Sequence, residues 1–407
     1  MSIEAEPSTR ILFVDDEQAI LGALQNLLRR RRRVWDMRFA PSGAAALEML
    51  AAQPVDVVVS DLRMPGMDGA TLLAEVRALQ PWAVRLVLSG HAERDVLLRA
   101  ASVAHQFLGK PCDVDDLIRV IERAAAIQRS IPSRDIGALA GRVESLPAAR
   151  SVLHELERVL ASPTSTTRDV GRVVSRDPGL SAKVLQLASS AFFGVAREGV
   201  NLMDAVDLLG VEALAQLTET ATLFDISATV EASLGATVED LQRHALETAL
   251  VARALADASR RDLAFTAGLL HDIGRVVLAV RMPERLAEIT QEARASRRPL
   301  HVIEREALGT THAEVGAHLL AMWGLPAPIV AAVASHHEPG DSGEVGAIGA
   351  LVQAAEALVH EVVGSTDNVA RPPDVDDALL GRAGVAGGRR QWIDVAKSTL
   401  GLMGSVH

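Results

Sequence analysis

Apolar and polar positions in the first 130 residues form short apolar runs separated by amphipathic segments. The runs are rich in β-branched residues and end in polar ones, which is typical of buried parallel strands. Apolar residues three and four apart in the intervening segments predict helices. The runs are ILFVDD (11–16), VDVVVSD (55–61), VRLVLSG (84–90) and HQFLGKP (105–111), and the helices are Ala19–Leu28, Gly43–Ala51, Ala70–Leu79, Ala92–Ala101 and Val114–Ala126. With a further strand expected after residue 33, strand and helix alternate five times and predict an α/β fold with a doubly wound, parallel five-stranded sheet.

Three acidic side chains close two of these runs. Asp15 and Asp16 end the first run, and Asp61 ends a later one. Carboxyl ends of parallel strands share one edge, so the three carboxylates are expected to meet there and to require a cation. Their oxygen atoms suit a hard ion, most simply Mg²⁺. Ser89 and Lys110 close two further runs and complete a phosphoryl-transfer site, in which one carboxylate attacks the phosphoryl group.

Residues 9–128 therefore resemble the receiver domain of two-component response regulators. The matching motifs, in chain order, are Asp15-Asp16, Asp61 followed by Met64-Pro65-Gly66-Met67-Asp68-Gly69, Ser89-Gly90, and Lys110-Pro111. The resemblance implies that Asp61 is the phospho-acceptor, assisted by Lys110 and Ser89.

The same resemblance implies further roles for single residues. Mg²⁺ would be held by Asp16, Asp61 and the backbone carbonyl of Arg63, with Asp15 nearby. The Lys110–Pro111 peptide would be cis. Phe107 would take the place of the aromatic switch residue that couples phosphorylation to the face around the last strand.

From residue 136 to 345 the pattern is almost entirely helical, as in the apolar spacing of Leu153, Leu156 and Val159. The acidic, turn-rich stretch 364–377 is expected to be mobile. The predicted domains are a receiver at 9–128, a linker at 129–135, an all-α domain at 136–345 and an extension at 346–407 that ends in a helix over Gln391–Leu402.

Composition narrows the class of protein. Hydrophobic residues make up 49% of the 407, but aromatic residues only 3%, with no Tyr, so the cores are aliphatic. The net charge of −11 argues against general nucleic-acid binding, and we interpret the run Arg29–Arg33 as a solvated end of the first helix. One cysteine, Cys112, and a polar amino terminus without an apolar core predict a cytoplasmic protein with no signal peptide and no membrane span.

The helical region contains histidines in contexts that suit a second metal site. The candidate ligands are His244, His271, Asp272, His312, His336 and His337. Neutral imidazoles suit Mn, Fe, Ni or Zn, and a carboxylate hardens such a site. Metal sites of this type activate water for the hydrolysis of phosphoesters.

The helical region resembles the HDOD domain, a relative of the HD superfamily, and the resemblance implies an all-α bundle. The motifs that carry it are Asp177-Pro178-Gly179-Leu180, Ala188-Ser189-Ser190-Ala191-Phe192-Phe193-Gly194, Gly268-Leu269-Leu270-His271-Asp272-Ile273-Gly274, Glu304–His312–Glu314–Gly316, Trp323-Gly324-Leu325-Pro326 and His336-His337-Glu338-Pro339.

This chain departs from the related HD-GYP cyclic-di-GMP phosphodiesterases at three places. Arg275 stands where those enzymes carry Lys, and residues 338–343 replace the Gly-Tyr-Pro segment. Glu356 occupies the position of the last Asp, where its longer side chain would shift a metal contact. These departures weaken the expectation of cyclic-dinucleotide recognition more than that of metal binding.

Two functions follow from these resemblances. The first is a phosphorylation-dependent response regulator whose HDOD domain acts through protein interaction. The alternative is a phosphorylation-gated, metal-dependent phosphohydrolase of nucleotides or cyclic dinucleotides. Expected partners are a sensor histidine kinase or phosphotransfer protein, a downstream protein and a second copy in a homodimer. Nucleic acid and membrane partners are not expected.

Overall fold

The computed structural model describes most of the chain. The described residues are 9–90, 100–130, 134–143, 146–189, 201–219, 238–339, 343–364, 377–384 and 387–401. The predicted helix Ala92–Ala101 and the stretch 364–377 lie almost wholly outside them. The chain divides into two compact units, the first comprising 1–144, 186–197 and 321–324, and the second 145–185, 198–320 and 325–407.

Five parallel strands form the sheet of the first unit, which confirms the predicted α/β fold. The strands are β1 (Thr9–Val14), β2 (Trp35–Ala40), β3 (Val57–Asp61), β4 (Val84–Gly90) and β5 (Gln106–Lys110), in the order β2-β1-β3-β4-β5. Val14 pairs with Ser60 across β1 and β3, and Gly90 pairs with Lys110 across β4 and β5. The carboxyl ends of these strands therefore meet at one edge.

The first unit also contains five described helices. They are α1 (Gln18–Leu27), α2 (Gly43–Ala52), α3 (Gly69–Leu79), α4 (Val114–Ser130) and α5 (Arg134–Gly141). The run Arg29–Arg33 forms a separate 3-10 turn after α1, and four of its five side chains are exposed. This exposure agrees with the solvated interpretation.

Helix α5 packs in the first unit, although most of it falls within the predicted second domain. Arg85 is 1% exposed and donates hydrogen bonds to the carbonyl oxygens of Val103 at 2.5 Å and Gly141 at 2.8 Å. A Cβ on Gly141 would lie 1.7 Å from the Pro81 carbonyl oxygen. The carboxyl end of α5 is thereby fixed at the amino end of β4.

All the regular secondary structure described in the second unit is helical, as predicted. Its helices are α6 (Arg150–Leu160), α7 (Thr167–Val174), α8 (Pro178–Ala188), α9 (Leu202–Glu219), α10 (Val238–Leu255), α11 (Arg261–Leu270), α12 (Ile273–Arg281), α13 (Pro283–Ser296), α14 (Leu300–Leu308), α15 (His312–Met322), α16 (Ala327–Ser335), α17 (Gly343–Val362), α18 (Asp377–Ala383) and α19 (Arg389–Gly401). Two short pieces of this sequence, 186–188 in α8 and 321–322 in α15, are grouped with the first unit.

The last helix packs on the core of the second unit. Trp392 and Ala396 on α19 are buried in a cluster with Val251 of α10 and Leu358 of α17. The helix predicted from the spacing around Trp392 is thus present, and it packs against the helical unit.

One helical segment, Arg261–Arg281, is long and apolar enough to cross a membrane by length and composition. However, 78% of the most apolar 18-residue stretch of this segment is buried in the structure. The segment is interrupted between α11 and α12, at His271 and Asp272. It is packed as a core helix, and its interruption places two candidate ligands.

Candidate functional sites

The carboxyl edge of the sheet brings Asp15, Asp61 and Lys110 together. Asp15 follows β1, Asp61 ends β3 and Lys110 ends β5. The Lys110 Nζ lies 2.9 Å from Asp15 Oδ2 and also donates to Asp61 Oδ1. A single ammonium therefore bridges the two carboxylates at the sheet edge where the strand ends were expected to bring them together.

Burial and this ion pair set the protonation of the strand-edge groups. Burial raises the pKa of the Asp61 carboxyl, and the hydrogen bond from Lys110 only partly opposes the rise. Burial acts to lower the pKa of Lys110, but its hydrogen bonds to Asp61 and Asp15 outweigh burial and raise it. Lys110 therefore stays charged and available to neutralise an anion.

The other predicted receiver residues lie on strands of the same sheet or just after them. Asp16 is exposed beside Asp15, and the Arg63 N–H donates to Asp61 Oδ2 at 2.8 Å. Ser89 and Phe107 are 1% and 2% exposed. The Lys110–Pro111 peptide is cis, as the resemblance implies.

This edge fits a hard divalent cation. One ammonium faces two carboxylates, and Asp16 supplies a third from the next position along the chain. The local charge therefore remains negative after Lys110 is counted, and all of the candidate side-chain ligand atoms are carboxylate oxygens, which Mg²⁺ prefers.

In the second unit, glycines bring the ligand-bearing helices into backbone contact. A Cβ on Gly274 would lie 1.8 Å from the His312 carbonyl oxygen and 2.7 Å from the Gly316 nitrogen, so α12 and α15 cross where only glycine fits. A Cβ on Gly268 would lie 2.9 Å from the Ala249 Cα, which sets α11 against α10. These crossings gather histidines from helices that are far apart in sequence.

The gathered ligands form two groups of three, where the sequence predicted a single site. Within each group, one ligand atom from each residue lies within 4.8 Å of the others. The groups are His312, His336 and His337, and His244, His271 and Glu356. Asp272 contacts both groups, with Oδ1 3.2 Å from His312 Nε2 and Oδ2 3.6 Å from His271 Nε2.

The protonation of His271, His336, His337 and Asp272 favours ligation, whereas the carboxylates of Glu304 and Asp272 outweigh burial and raise the pKa of His312 to about 10, so a bound metal would displace a proton from that ring. Burial lowers the pKa of His271, and it lowers those of His336 and His337 further, so these imidazoles are neutral. Burial also opposes the charge on Asp272, but its cationic neighbours Arg275 and His312 outweigh burial and hold the pKa of Asp272 well below its usual range. Neutral imidazole and ionised carboxylate are the forms that bind metals.

Two ring nitrogens of this cluster are buried without hydrogen bonds. Among the described residues, His271 Nε2 and His336 Nε2 have no hydrogen-bond partner. In both rings the other nitrogen is occupied, since Nδ1 lies 2.7 Å from the Gly268 oxygen and 2.8 Å from the Val333 oxygen, respectively. Buried polar atoms without partners are costly, and a bound cation would satisfy these two. The histidine cluster therefore fits a transition-metal ion.

Arg275 forms an ion pair with Asp272, the carboxylate that contacts both groups of ligands. It is 6% exposed, and its Nη1 donates to Asp272 Oδ2 at 3.0 Å. The segment that replaces Gly-Tyr-Pro lies partly outside the described residues, since residues 340–342 are not among them.

The structure adds Glu304 as a contact of His312 that sequence reasoning had named only as a motif residue. Its carboxylate lies 2.7 Å from His312 Nδ1. A signal for this was present, because Glu304 lies on the same helical face as the buried Leu300 and Ile303. A carboxylate at a core-facing position indicates a buried partner.

Two further histidines extend the cluster at its ends, and no sequence motif had selected them. The His301 ring stacks on that of His337 with centroids 4.1 Å apart. The His360 ring lies 5.1 Å from that of His244.

Comparison with known proteins assigns each unit to a domain family. Residues 11–122 match the response regulator receiver domain, and residues 146–339 match the HDOD domain. A protein of Treponema pallidum (strain Nichols) is 28% identical over 239 residues, which are 55% of this chain and 46% of that protein. The transcriptional regulatory protein ZraR of Escherichia coli (strain K12) is 34% identical over 161 residues, or 39% of this chain and 36% of ZraR.

The matches to these two relatives span less than half of their length. The crystal structure of the MmoQ response regulator from Methylococcus capsulatus str. Bath aligns over 62% of this chain and 98% of that one, with 25% identity and a TM-score of 0.50. The chain is therefore a response regulator of a two-component system, in which a receiver domain is followed by an HDOD domain.

Proposed function

We propose that this response regulator accepts a phosphoryl group on Asp61, and that phosphorylation changes how its HDOD domain binds a protein partner. One observation carries the first part: Lys110 bridges Asp61 and Asp15 at the carboxyl edge of a parallel sheet. The phosphoryl donor is a sensor histidine kinase or a phosphotransfer protein, and the reaction takes place in the cytoplasm.

The chemistry follows from these side chains. An Asp61 oxygen attacks phosphorus as the donor P–N bond breaks, which leaves an aspartyl phosphate and a free imidazole on the donor. Lys110 neutralises charge on the phosphoryl oxygens, and Ser89 donates a hydrogen bond to one of them. Mg²⁺ would be held by Asp16, Asp61 and the Arg63 carbonyl, with Asp15 nearby, and would supply further charge neutralisation.

Labelling with an acyl phosphate tests this assignment directly. The full chain is incubated with ³²P-acetyl phosphate and Mg²⁺, as wild type, as Asp61→Asn and as Asp36→Asn. Asp36 is a matched control on the edge strand β2, where its side chain is 44% exposed. We expect label in the wild type and Asp36→Asn and none in Asp61→Asn. Equal labelling of all three would reject Asp61 as acceptor.

For the output we propose binding to a downstream protein or to a second copy of the chain. Two features of the HDOD domain support binding over hydrolysis. Arg275, at the position of the enzymes' Lys, is already paired with Asp272. The acidic segment that follows Pro339 takes the place of a substrate-gripping segment and would repel phosphate.

A metal-dependent phosphohydrolase is the second candidate, favoured by the buried His271 and His336 nitrogens without partners. The ligands would be the two groups of three together with Asp272. Metal analysis of full-length protein purified without chelators is expected to find transition metal in the wild type and less in His271→Ala/Asp272→Ala. Unchanged metal content would exclude this location.

A hydrolysis assay separates the two functions. Nucleotides and cyclic-di-GMP are supplied with Mn²⁺, Fe²⁺ or Ni²⁺ under anaerobic conditions. We expect little or no product. Rapid turnover that is abolished by Asp272→Ala would reverse the preference and make this response regulator an enzyme.

A further inference from the structure

His312 is held by a carboxylate on the side of its ring opposite the candidate metal ligands. Its Nε2 faces Asp272 Oδ1 at 3.2 Å and His337 Nε2 at 2.9 Å. Its Nδ1 lies 2.7 Å from Glu304 Oε2. The ring therefore joins the candidate metal group to a carboxylate that is outside both groups of three.

The Glu304 carboxylate is completely buried and also accepts a backbone hydrogen bond. Glu304 is 0% exposed on α14, and its Oε2 accepts from the His312 backbone N–H at 2.8 Å. His312 is the first residue of α15, so this bond caps the helix as well. One oxygen thus fixes both the main chain and the ring of His312.

We propose that Glu304 is a positioning residue for metal binding, which keeps a proton on His312 Nδ1 and leaves Nε2 to bind a divalent cation. This inference rests on the metal binding by the HDOD domain proposed above. A carboxylate that accepts a hydrogen bond from the other ring nitrogen of a metal-binding histidine fixes the tautomer and orientation of the ring. It also makes the metal-binding nitrogen more basic, so that this nitrogen binds the metal more strongly. An uncharged acceptor of the same shape would keep the orientation of the ring but would make His312 Nε2 a less basic metal ligand.

The substitution Glu304→Gln separates these contributions. Glutamine can accept the same two hydrogen bonds through its oxygen, so the cap on α15 and the fold should remain. Loss of the charge should weaken Ni²⁺ binding by about 10–100-fold. Ni²⁺ affinity is measured for the full chain by competition with a chromophoric chelator, and thermal unfolding is followed in the same samples.

Glu306→Gln is the matched control. Glu306 lies on the same helix, and its side chain is 55% exposed and paired with Arg298. We expect this variant to bind Ni²⁺ as the wild type does. Equal affinities of the wild type and Glu304→Gln would overturn the role of Glu304 while leaving metal binding intact. A wild type that binds no Ni²⁺ and no Zn²⁺ would overturn both proposals.

A spectroscopic readout on the wild type keeps the proposal testable if Glu304→Gln does not fold. In Zn²⁺-loaded protein with ¹⁵N-labelled histidine, the His312 ring should carry its proton on Nδ1 and show a metal-bound Nε2. A proton on Nε2, or metal bound to Nδ1, would overturn the assignment.

Discussion

The two candidate sites of this protein are assembled in different ways. In the receiver domain, Asp15, Asp61 and Lys110 each follow or end a strand, and the parallel sheet places all strand ends together. In the HDOD domain, the ligands come from several helices, and close backbone crossings at Gly274 and Gly268 bring α12 to α15 and α11 to α10. A strand-edge site is therefore specified by local sequence, whereas the helical site depends on close helix crossings.

Of the substitutions considered, replacement of Gly274 should have the largest effect on stability, because it disturbs a close helix crossing directly. A Cβ at Gly274 would overlap the His312 carbonyl oxygen at 1.8 Å, so α12 and α15 would have to separate. We expect Gly274→Ala to lower the free energy of unfolding of the HDOD domain by about 3 kcal/mol or more. Hydrogen exchange and chemical denaturation of the full chain would show the loss in this domain and not in the receiver.

Gly381→Ala is the control for Gly274→Ala. No atom lies within 4 Å of a Cβ at Gly381, which is on the exposed side of α18. Alanine there should stabilise the helix by up to about 1 kcal/mol. Equal effects of the two substitutions would contradict the importance of the glycine crossing.

A pH titration should show a smaller effect that arises from a buried carboxyl of the HDOD domain. Asp177 in the HDOD domain is 1% exposed, and its carboxylate accepts from the N–H groups of Ala149 and Leu180 at 2.9 Å each. Asp61 in the receiver has an ammonium partner, Lys110. Burial raises the pKa of Asp177 to about 6 despite its backbone hydrogen bonds.

The sign of this effect follows from linkage. Because the folded pKa of Asp177 exceeds its unfolded value of 3.8, the folded state binds the proton more tightly. Protonated Asp177 therefore stabilises the folded state at low pH. This contribution to the free energy of unfolding, up to roughly 2–3 kcal/mol, is lost as the pH rises from about 4 to about 6. The free energy of unfolding, measured by denaturation across this pH range, should depend less on pH in Asp177→Asn than in the wild type. The same pH dependence in both proteins would contradict the role of Asp177.

Lys110→Ala should have the smallest effect on stability and a specific effect on signalling. The Lys110 side chain is 28% exposed and interacts with Asp15 and Asp61 through its charge. We therefore expect the free energy of unfolding to change by about 1 kcal/mol or less. The link from phosphate to the rest of the receiver should weaken. Hydrogen exchange of peptides covering residues 84–90 and 106–110 would test this, since identical phosphate-induced changes in wild type and variant would contradict it.

The receiver site could be predicted from sequence because its determinants are local. Apolar runs predicted the strands, and the polar residue ending each run marked the site, so Asp15, Asp61 and Lys110 were placed together correctly. The sequence did not indicate that α5 packs in the first unit. That packing depends on Arg85, whose partner Gly141 is 56 residues away.

The HDOD site could be predicted only as a set of residues. Motifs selected the histidines and Asp272, but their division into two groups depends on how the helices that carry them pack together. The role of Glu304 depends on the geometry of the connection from α14 to α15, where Gly309 adopts φ 70°. Spacing along the sequence does not specify contacts between helices that are far apart in the chain.

Hydrogen exchange of the full chain with and without phosphorylation tests the central claim most directly. Wild type and Asp61→Asn are incubated with acetyl phosphate and Mg²⁺, and peptides from 238–339 of the HDOD domain are followed. We predict that exchange in these peptides changes on phosphorylation of the wild type and stays constant in Asp61→Asn. Changes confined to the receiver, in a wild type shown to be phosphorylated, would contradict the claim that Asp61 controls the HDOD domain.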